Sequence, residues 1–587
     1  MKLAVVALDF DGTIAVDGAL DAEVRGLVHE LRERGIAVLL VTGRILADLE
    51  TCVGDLRLFD AVVAENGAVL SFPATGHSRV LAAEPAPDLL AALSAAGIEQ
   101  RAGQCVIEAA ADAWPRVMEA IRRLELPLVV HFNRGRLMVL PQSVSKATGL
   151  REALATLRLS VHNTVAVGDA ENDHELLMSV ELGLAVGWGS GRLIRIADGV
   201  IDGAGPAAVA RHLRRLAEDP RLPAARIGRR ALLLGRGDED QAVSLAVRGR
   251  NVLITGEPRS GKSWVAGLLA EQLILHRYAV VVIDPEGDYR TLESLPGVQV
   301  VDPSGHGPHR TDVTQALRFP DMSIVLDLSH LPAVEKADYV KAVLPVLADH
   351  RRETGVPHRI VVDEAHYFLD EPAVGELLDL AMGGYTLVTY RASQLRPEVR
   401  EAVEAVIVTR ISDPEEVRAL AGPGIPPGDV AAWTRTLSRL ALEEAVLLPG
   451  VEEAGGRLTR FRIAPRLTRH VRHRHKYLDV PIAPARAFVF TRGGVPTGLT
   501  ARTLVAFARV AATLPADVLE HHLRRSDVSR WIGEVFGDTE LARSVEEIEN
   551  QLRMGSMLDA RDAVVERIEE RYARSGPKRR TLEGRMA

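Results

Sequence analysis

The stretch VVALDFDGT, at residues 5–13, begins as an apolar strand and ends in two aspartates two positions apart. In a parallel α/β sheet, ligands bind beyond the carboxyl ends of the strands, so chemistry is expected here. The carboxylate of Asp9 can attack phosphorus, and that of Asp11 can protonate the leaving oxygen and then activate water. An acidic turn with a glycine is the plainer interpretation of this motif alone, and later segments decide between the two.

Three later segments supply the other groups that phosphoryl transfer needs. TGR at residues 42–44 ends an apolar run and offers a hydroxyl and backbone N–H groups to a phosphate, and Lys146 can neutralise phosphoryl oxygens. The run VAVGDAENDHELL brings Asp169 and Asp173 after another strand. Together with the first two aspartates they form the hard oxygen set that Mg²⁺ prefers.

The ordered motifs DxDGT, TGR, Lys and GDxxND resemble the haloacid dehalogenase (HAD) superfamily over about the first 215 residues. The resemblance implies a Rossmann-like α/β core in which Asp9 is the nucleophile and Asp11 the general acid and base. It implies that phosphate is bound by Thr42, Gly43 and Lys146. It also implies that magnesium is bound by Asp9, Asp11, Asp169 and Asp173. Asn172 would support the loop at residues 169–173, which we call the acidic loop.

The long segment between Arg44 and Lys146 resembles the Cof and sucrose-phosphatase branch, in which an α/β cap is inserted at this point. The ENGA turn at residues 65–68 supports this, because the branch commonly has an NGA turn before its cap. We expect the cap at about residues 80–139. The resemblance implies hydrolysis of a small phosphate ester, with sugar phosphates as one class; an inactive regulatory domain is the alternative.

A second phosphate-binding loop, GEPRSGKS, lies between the apolar run Val252–Thr255 and a predicted helix. Its glycines let backbone N–H groups converge on phosphates at the positive end of that helix. Lys262 would reach the β- and γ-phosphates of ATP, and Ser263 would bind the accompanying Mg²⁺. The predicted nucleotide-binding residues are Gly256, Pro258, Arg259, Ser260, Gly261, Lys262 and Ser263.

Downstream, the apolar run RIVV delivers Asp363, expected to bind the magnesium ion, and Glu364, expected to polarise the attacking water. These motifs, with VIDPEGDY before them, resemble the HerA/FtsK-like ATPases, and the HerA side in particular. Because that class works as rings, the resemblance implies a homo-oligomer that binds ATP as substrate or effector. Arg391 and Arg410 are candidates for a finger that reaches a neighbouring subunit, and a salt-bridged or solvated arginine is the plainer interpretation of either.

One departure from that family concerns hydrolysis. Where the family often presents a glutamine near the γ-phosphate, in a TQR sequence, this chain has Thr389-Tyr390-Arg391, and Gln394 is displaced along the chain. The sequence therefore predicts nucleotide binding more directly than it predicts the positioning of water.

Length and composition set the remaining expectations. A chain of 587 residues is too long for one hydrophobic core, and a net charge of −8 argues against a protein that coats nucleic acid generally. Two cysteines fit a reducing compartment, and the lack of an apolar run of about 18 residues predicts no membrane span, so a cytoplasmic protein is expected. The basic strip HVRHRHKY, at residues 470–477, fits an acidic interdomain partner better than nucleic acid, since aromatic residues are sparse.

The predicted fold class is a multidomain α/β protein with a small all-α domain at its C-terminal end. The predicted segments are a HAD-like phosphatase at 1–216, a linker at 217–226, a HerA-like P-loop ATPase at 227–469, a basic connector at 470–487, a helical domain at 488–574 and a disordered tail at 575–587.

The sequence predicts a bifunctional Mg²⁺-dependent phosphohydrolase, whose ATP-binding domain gates the phosphatase or assembles several copies of it. Three alternatives stay open. The first is a nucleic-acid translocase whose phosphatase trims polynucleotide ends, which DNA-stimulated ATP hydrolysis would indicate. The second is a polynucleotide kinase-phosphatase, and the third is a nucleotide-sensing scaffold without turnover.

Overall fold

The chain folds around two large β-sheets. The predicted basic strip, most of the predicted connector and the predicted tail lie outside the residues that are described. The computed structural model describes residues 1–573 apart from 134, 220, 223–228, 247–248, 305–309, 370–376, 421–429, 449–458, 470–481, 483–485, 537 and 557–558.

The first 216 residues contain fourteen described strands and eight described helices. The strands are β1 (Val5–Leu8), β2 (Ala15–Val16), β3 (Ala19–Leu20), β4 (Ala37–Val41), β5 (Ala61–Ala64), β6 (Val69–Phe72), β7 (His77–Val80), β8 (Gln100–Ala102), β9 (Ile107–Ala110), β10 (Leu128–Asn133), β11 (Arg136–Pro141), β12 (Thr164–Gly168), β13 (Leu182–Val186) and β14 (Gly199–Ile201). The helices are α1 (Ala22–Glu33), α2 (Leu46–Val53), α3 (Pro87–Ala95), α4 (Trp114–Arg123), α5 (Lys146–Leu157), α6 (His174–Ser179), α7 (Gly191–Ile196) and α8 (Gly205–Leu216).

Eight of these strands form one sheet in the order β14-β13-β12-β1-β4-β5-β6-β7. The strands from β14 to β5 are parallel, and β6 and β7 add an antiparallel edge. The central strands are apolar along their whole length because helices cover both faces of a parallel sheet. Helix α1 begins where Asp21 accepts hydrogen bonds from two first-turn N–H groups, and it buries an apolar stripe of helical spacing from Val24 to Leu31.

The segment between the two halves of this sheet forms a separate layer, which we call the cap. Its four strands pair in the order β10-β11-β9-β8, and α3 and α4 pack on one face. Strand β11 alternates between the two faces: Leu137 and Val139 face the helices, whereas Met138 and Leu140 pack with Ile45 of the core. The cap therefore lies directly against the residue that follows Arg44.

The second large sheet lies in the P-loop region. Its strands are β15 (Ala231–Arg236), β16 (Ala242–Ala246), β17 (Val252–Thr255), β18 (Val280–Asp284), β19 (Val298–Val301), β20 (Ser323–Asp327), β21 (Arg359–Val362), β22 (Tyr385–Thr389), β23 (Ala405–Val408), β24 (Glu444–Leu447) and β25 (Thr459–Ile463). The described helices are α9 (Lys262–Leu275), α10 (Arg310–Ala316), α11 (Ala333–Thr354), α12 (Pro397–Glu401), α13 (Pro414–Ala419) and α14 (Val430–Leu437).

The order of this sheet is β16-β15-β25-β24-β23-β17-β22-β21-β18-β20-β19. The seven strands from β23 to β19 are parallel, and the other four extend the sheet in antiparallel fashion. Strand β17, which carries the P-loop, therefore lies inside the parallel part, where ligands bind at the carboxyl ends.

The C-terminal region is helical, as predicted, and it begins with a hairpin that the periodicity did not reveal. Its core is built on aromatic side chains, and His522 is buried among them. His522 Nε2 accepts a hydrogen bond from Thr491 N at 2.9 Å, and His522 Nδ1 lies 2.9 Å from Asp527. The described elements are β26 (Phe488–Arg492), β27 (Val495–Ala501), α15 (Leu504–Thr513), α16 (Ala516–Arg524), α17 (Asp527–Trp531), α18 (Thr539–Arg553) and α19 (Ala560–Ala573). Among the described residues, no helix has the length and apolar character to cross a membrane.

A buried polar contact joins the first domain to the P-loop region. The ring of His162, just before β12, stacks on that of Tyr278 with centroids 3.6 Å apart. His162 Nδ1 and the Tyr278 hydroxyl both lie 2.9 Å from Oε2 of Glu181, and Asn163 contacts His358 at 3.0 Å. One hydrophobic cluster also extends across both regions, so the two domains share a continuous core.

Two glycine-to-alanine substitutions should change stability in opposite directions. A Cβ on Gly149 in α5 would lie 2.6 Å from both Gly67 Cα and Val63 Cγ1, and such overpacking costs about 1–3 kcal/mol. A Cβ on Gly26 in α1 would contact only Arg214 at 3.8 Å, so the higher helix propensity of alanine contributes up to about 1 kcal/mol. We expect Gly149→Ala to lower and Gly26→Ala to raise the free energy of unfolding in urea. Equal free energies of unfolding for the two variants would contradict the close packing of Gly149 against Gly67.

Candidate functional site

Three of the predicted motifs of the first domain meet at the carboxyl edge of its sheet. Strands β1, β4 and β12 are neighbours, and Asp9 N donates to Val167 O at 3.0 Å, which continues the β1–β12 pairing by one residue. Asp9, Thr42 and Asp169 therefore follow adjacent strand ends, and all three are buried.

Three carboxylates cluster at this edge. Each of Asp9, Asp169 and Asp173 has an oxygen within 4.8 Å of the others, and Thr13 Oγ1 contacts both Asp9 Oδ2 at 3.1 Å and Asp169 Oδ1 at 3.4 Å. Asp173 Oδ2 accepts the N–H groups of Asp169 at 2.9 Å and Ala170 at 3.0 Å. The acidic loop therefore folds back on itself and presents its oxygens towards Asp9.

Lys146 is the cation of this cluster. Its Nζ lies 2.5 Å from Asp9 Oδ1 and 2.7 Å from Asp173 Oδ1, and all three side chains are buried. Burial and the charge of Asp173 raise the pKa of Asp9 to about 7, although Lys146 opposes that shift. Burial lowers the pKa of Lys146, but the charges of Asp173 and Asp9 outweigh it, so its pKa is raised. The lysine therefore stays charged between two carboxylates.

Asp11 lies outside the three-carboxylate cluster. Its two oxygens accept hydrogen bonds from Arg44, Nη2 at 2.7 Å and Nε at 2.8 Å, and this bidentate pair fixes the direction of the Asp11 carboxyl group. The Arg44 backbone N–H also donates to Thr42 Oγ1 at 3.1 Å, with buried Gly43 between them. This role of the Arg44 side chain was not predicted, although its place in TGR was a signal. Asn172 Nδ2 lies 3.4 Å from Asn66 Oδ1, so it links the acidic loop to the ENGA turn.

The P-loop is closed by contacts among its own residues. Lys262, the first residue of α9, donates to Glu257 O at 3.0 Å, and Ser260 Oγ donates to the same carbonyl at 2.6 Å. Gly256 has no room for a side chain, because a Cβ would overlap Thr409 Oγ1, and Gly261 has a φ of 100°. Pro258 is half-buried within the loop, and Ser263 is buried in the first turn of α9.

Residues from three neighbouring strand ends converge near Lys262. Asp363 and Glu364 follow β21, both are buried, and Glu364 has a left-handed φ of 47°. His366 Nδ1 lies 3.7 Å from Glu364 Oε2 and 3.0 Å from Thr389 Oγ1. His366 thus connects the acidic pair to the end of β22, a role that the sequence did not suggest.

Tyr390, at which the chain departs from the TQR sequence, lies near the P-loop lysine. The ring of Tyr390 lies 5.9 Å from Lys262 Nζ and 4.4 Å from the ring of His366. Gln394 is exposed in the following turn. An aromatic ring therefore lies near the P-loop lysine, at the position in the sequence where the related ATPases often have a glutamine.

The three arginines predicted for this site have partners within the chain. Arg410 forms an ion pair with Glu257 of the P-loop, and the guanidinium of Arg391 lies 5.2 Å from the centre of the Tyr390 ring. Arg259 donates to Val535 O, in the C-terminal domain, at 3.1 Å. The plainer interpretation of Arg410, as a salt-bridged arginine, describes its environment in this structure.

Two family models match separate parts of the chain. The model for haloacid dehalogenase-like hydrolases matches residues 6–98 and 91–213, and the model for the central domain of the helicase HerA matches residues 238–403. The chain therefore carries a haloacid dehalogenase-like hydrolase domain followed by a HerA-like domain, as the motifs predicted.

Similar proteins match a part of the chain about as long as its first domain. A phosphoglycolate phosphatase from Methanopyrus kandleri is 29% identical over 232 residues, which are 37% of this chain and 98% of that protein. One from Methanothermobacter thermautotrophicus is 29% identical over 224 residues, 36% of this chain and 98% of that protein. A solved haloacid dehalogenase-like hydrolase from Bacteroides thetaiotaomicron is 19% identical, with a TM-score of 0.33, and covers 37% of this chain and all (100%) of its own.

Replacement of Lys146 tests the charge balance of the cluster. Lys146→Met leaves the buried carboxylates without their cation, so we expect the free energy of unfolding at pH 8 to fall by about 3–5 kcal/mol with a chelator present. A carboxyl group whose pKa is raised in the folded state stabilises the fold at low pH and loses that contribution as the pH rises. The loss of unfolding free energy that Lys146→Met causes should therefore be smaller at pH 5 than at pH 8.

Denaturant unfolding at pH 5 and pH 8 measures this difference. Arg57→Met is the control, since Arg57 also pairs with an aspartate, Asp55, but at the surface, where such pairs contribute little. A deficit for Lys146→Met that is the same at both pH values would contradict the assignment of Lys146 as the cation of the buried cluster.

Proposed function

We propose that this chain hydrolyses phosphomonoesters through Asp9 in its first domain and binds and hydrolyses ATP in its second. The observation that carries the proposal is the cluster of Asp9, Thr42, Lys146 and Asp173 at one sheet edge. It is supported by the similarity to phosphatases, which the match covers along nearly their whole length.

In the proposed reaction, a carboxylate oxygen of Asp9 attacks phosphorus and the bond from phosphorus to the ester oxygen breaks. Protonated Asp11 gives its proton to the departing alkoxide, so an alcohol leaves. The Asp11 carboxylate then takes a proton from water, whose oxygen attacks the aspartyl-phosphate and releases inorganic phosphate and Asp9. The two bonds from Arg44 would fix the direction of the Asp11 carboxyl group while it exchanges the proton with the leaving oxygen and then with water.

The residues present fit a magnesium ion. Asp9, Asp169 and Asp173 are hard oxygen donors, and the contacts of Thr13 with Asp9 and Asp169 bring oxygens of both to one point. Bound there, Mg²⁺ would neutralise charge on the phosphoryl oxygens. Lys146, between Asp9 and Asp173, would share that task with the Thr42 hydroxyl.

Phosphoglycolate is the substrate that we propose first, in place of a sugar phosphate. The relatives of the first domain are phosphoglycolate phosphatases. The apolar cap residues Val106, Met138 and Leu140 pack against Ile45 beside the site, and this close cover favours a small substrate.

In the second domain, Lys262 and Ser263 would bind the phosphates and magnesium of ATP, Asp363 would complete the metal site and Glu364 would polarise water. Assembly into a homo-oligomeric ring is part of this proposal. A nucleic-acid motor is the second candidate function, since the matching family model describes a helicase.

We further propose that nucleotide binding gates the phosphatase. Helix α9 begins at Lys262 in the P-loop and ends at Leu275, and the carbonyl oxygen of the next residue, His276, lies 2.8 Å from His162 Nε2. His162 lies two residues before β12, the strand that leads to Asp169. A displacement of α9 on nucleotide binding would thus reach the carboxylate cluster through packed groups.

Two single variants should separate the activities. Asp9→Asn should lower kcat for phosphoglycolate about 10³-fold or more and leave ATP binding intact, because it removes the nucleophile. Lys262→Ala should abolish ATP binding and leave the phosphatase site complete. Phosphate release from phosphoglycolate, sugar phosphates and phosphorylated oligonucleotides, and ATP hydrolysis with and without DNA, are the measurements. Full phosphatase activity in Asp9→Asn would refute the mechanism, and ATP hydrolysis that DNA accelerates would favour the motor.

Gating should appear as a change of phosphatase kinetics with nucleotide. We expect saturating ATP to change kcat/KM about 5-fold or more in the wild type, which is the lower range of allosteric coupling. Tyr278→Phe deletes the hydroxyl that donates to Glu181 at the interface and should reduce that change without affecting ATP affinity in the P-loop. Lys262→Ala is the control that should show no response. Identical kinetics with and without ATP in the wild type would exclude gating.

A further inference from the structure

Glu65 is a buried carboxylate of the catalytic core whose partners lie in the cap. It lies in the turn between β5 and β6, and its side chain is fully buried. Its oxygens accept hydrogen bonds from the N–H groups of Gln104 at 2.9 Å, Cys105 at 2.7 Å and Val106 at 3.3 Å. These residues belong to the loop between β8 and β9, residues 103–106, which we call the cap loop.

The cap loop is shaped for this contact. Gly103 N donates to Val106 O at 2.9 Å, which closes the loop into a tight turn. A Cβ on Gly103 would lie 2.6 Å from the carboxylate of Glu65, so a larger residue would force the two apart. Among the described residues, no lysine or arginine forms an ion pair with Glu65. Its charge is therefore stabilised by cap amides, and these charge-assisted bonds exist only while the cap is docked.

The same turn is bound to the phosphate-directed residues of the core. Glu65 N donates to Arg44 O at 2.9 Å, and Asn66 N donates to Thr42 O at 3.0 Å. A Cβ on Gly67 would overlap the carbonyl oxygen of Ser145, the residue before Lys146. The turn therefore has little freedom to move relative to the catalytic groups.

Docking through Glu65 also positions the apolar cap residues that cover the site. Val106, which Glu65 binds, packs with Met138 and Leu140 on the inner face of the cap sheet, and all three pack with Ile45. Ile45 directly follows Arg44, the partner of Asp11. The position of the cap loop thus decides how closely apolar surface lies over the reacting groups.

We propose that Glu65 is a positioning residue that docks the cap loop on the core in the closed state and so sets substrate affinity and discrimination. This inference rests on the phosphatase activity proposed above. Loss of the carboxylate favours the open cap, in which substrate makes fewer contacts and water enters the site.

Glu65→Gln tests this role, since the amide turns an N–H₂ group towards backbone donors. We expect KM for phosphoglycolate to rise about tenfold, equivalent to 1.4 kcal/mol, with a smaller change in kcat. Amide hydrogen exchange at residues 104–106 should accelerate by a similar factor, while that of β1 stays unchanged. Glu65→Asp keeps the charge on a shorter side chain and should give intermediate values, and it replaces Glu65→Gln if the latter does not fold.

Asp48→Asn is the matched control. Asp48 also links core and cap, through an ion pair with Arg101 at 2.6 Å, but that pair is exposed and should contribute little. Equal effects of Asp48→Asn and Glu65→Gln would overturn the assignment of Glu65. So would an active wild type in which Glu65→Gln changes neither KM nor exchange at the cap loop.

A merely structural role would lower the active fraction and hence kcat, and would leave KM alone; that result also overturns the proposal. If the wild type hydrolyses no phosphate ester, but Glu65→Gln accelerates exchange at residues 104–106, the phosphatase proposal fails while docking by Glu65 stands. The two failures are therefore distinguishable.

Discussion

The ammonium group of Lys146 between the carboxylates of Asp9 and Asp173 is the interaction on which the catalytic half of the molecule depends. Three carboxylates at one buried edge repel one another, and without a cation they would be driven to the neutral form. Lys146 can reach them because α5 begins at that residue, where the side chain of Ser145 caps the helix. The start of one helix thus positions the only cation of the cluster among the described residues.

The same requirement, that a carboxylate be met by nearby donor groups, recurs at other contacts of the first domain. Arg44 meets the charge of Asp11 with two parallel bonds, and three backbone N–H groups meet that of Glu65. The first contact connects Asp11 to the residues that follow strand β4, and the second connects the core to its cap. Movement of the cap would break the hydrogen bonds of Glu65, so that contact is a natural control point.

The interface of the two domains follows a related logic. Glu181 is shared by His162 and Tyr278, one from each domain, and the two rings stack. Burial lowers the pKa of His162, although its bond to Glu181 opposes that shift. Such a contact is specific because each polar group needs its partner in place. It makes the P-loop helix and the strand that carries Asp169 parts of one packed unit.

Local sequence was enough to predict the motifs, because a strand end and the turn after it are set by short-range geometry. DFDGT, GDAEND and the P-loop follow strands in the parallel parts of the two sheets, as predicted, and the HerA-like and hydrolase families were identified from these motifs. Domain boundaries and individual site roles remain predictions. The partners of Arg44, Glu65, His162 and Tyr390 could not be read from the sequence. Each partner lies on another strand or another domain, and only the order of the strands and the packing of the layers bring such residues together.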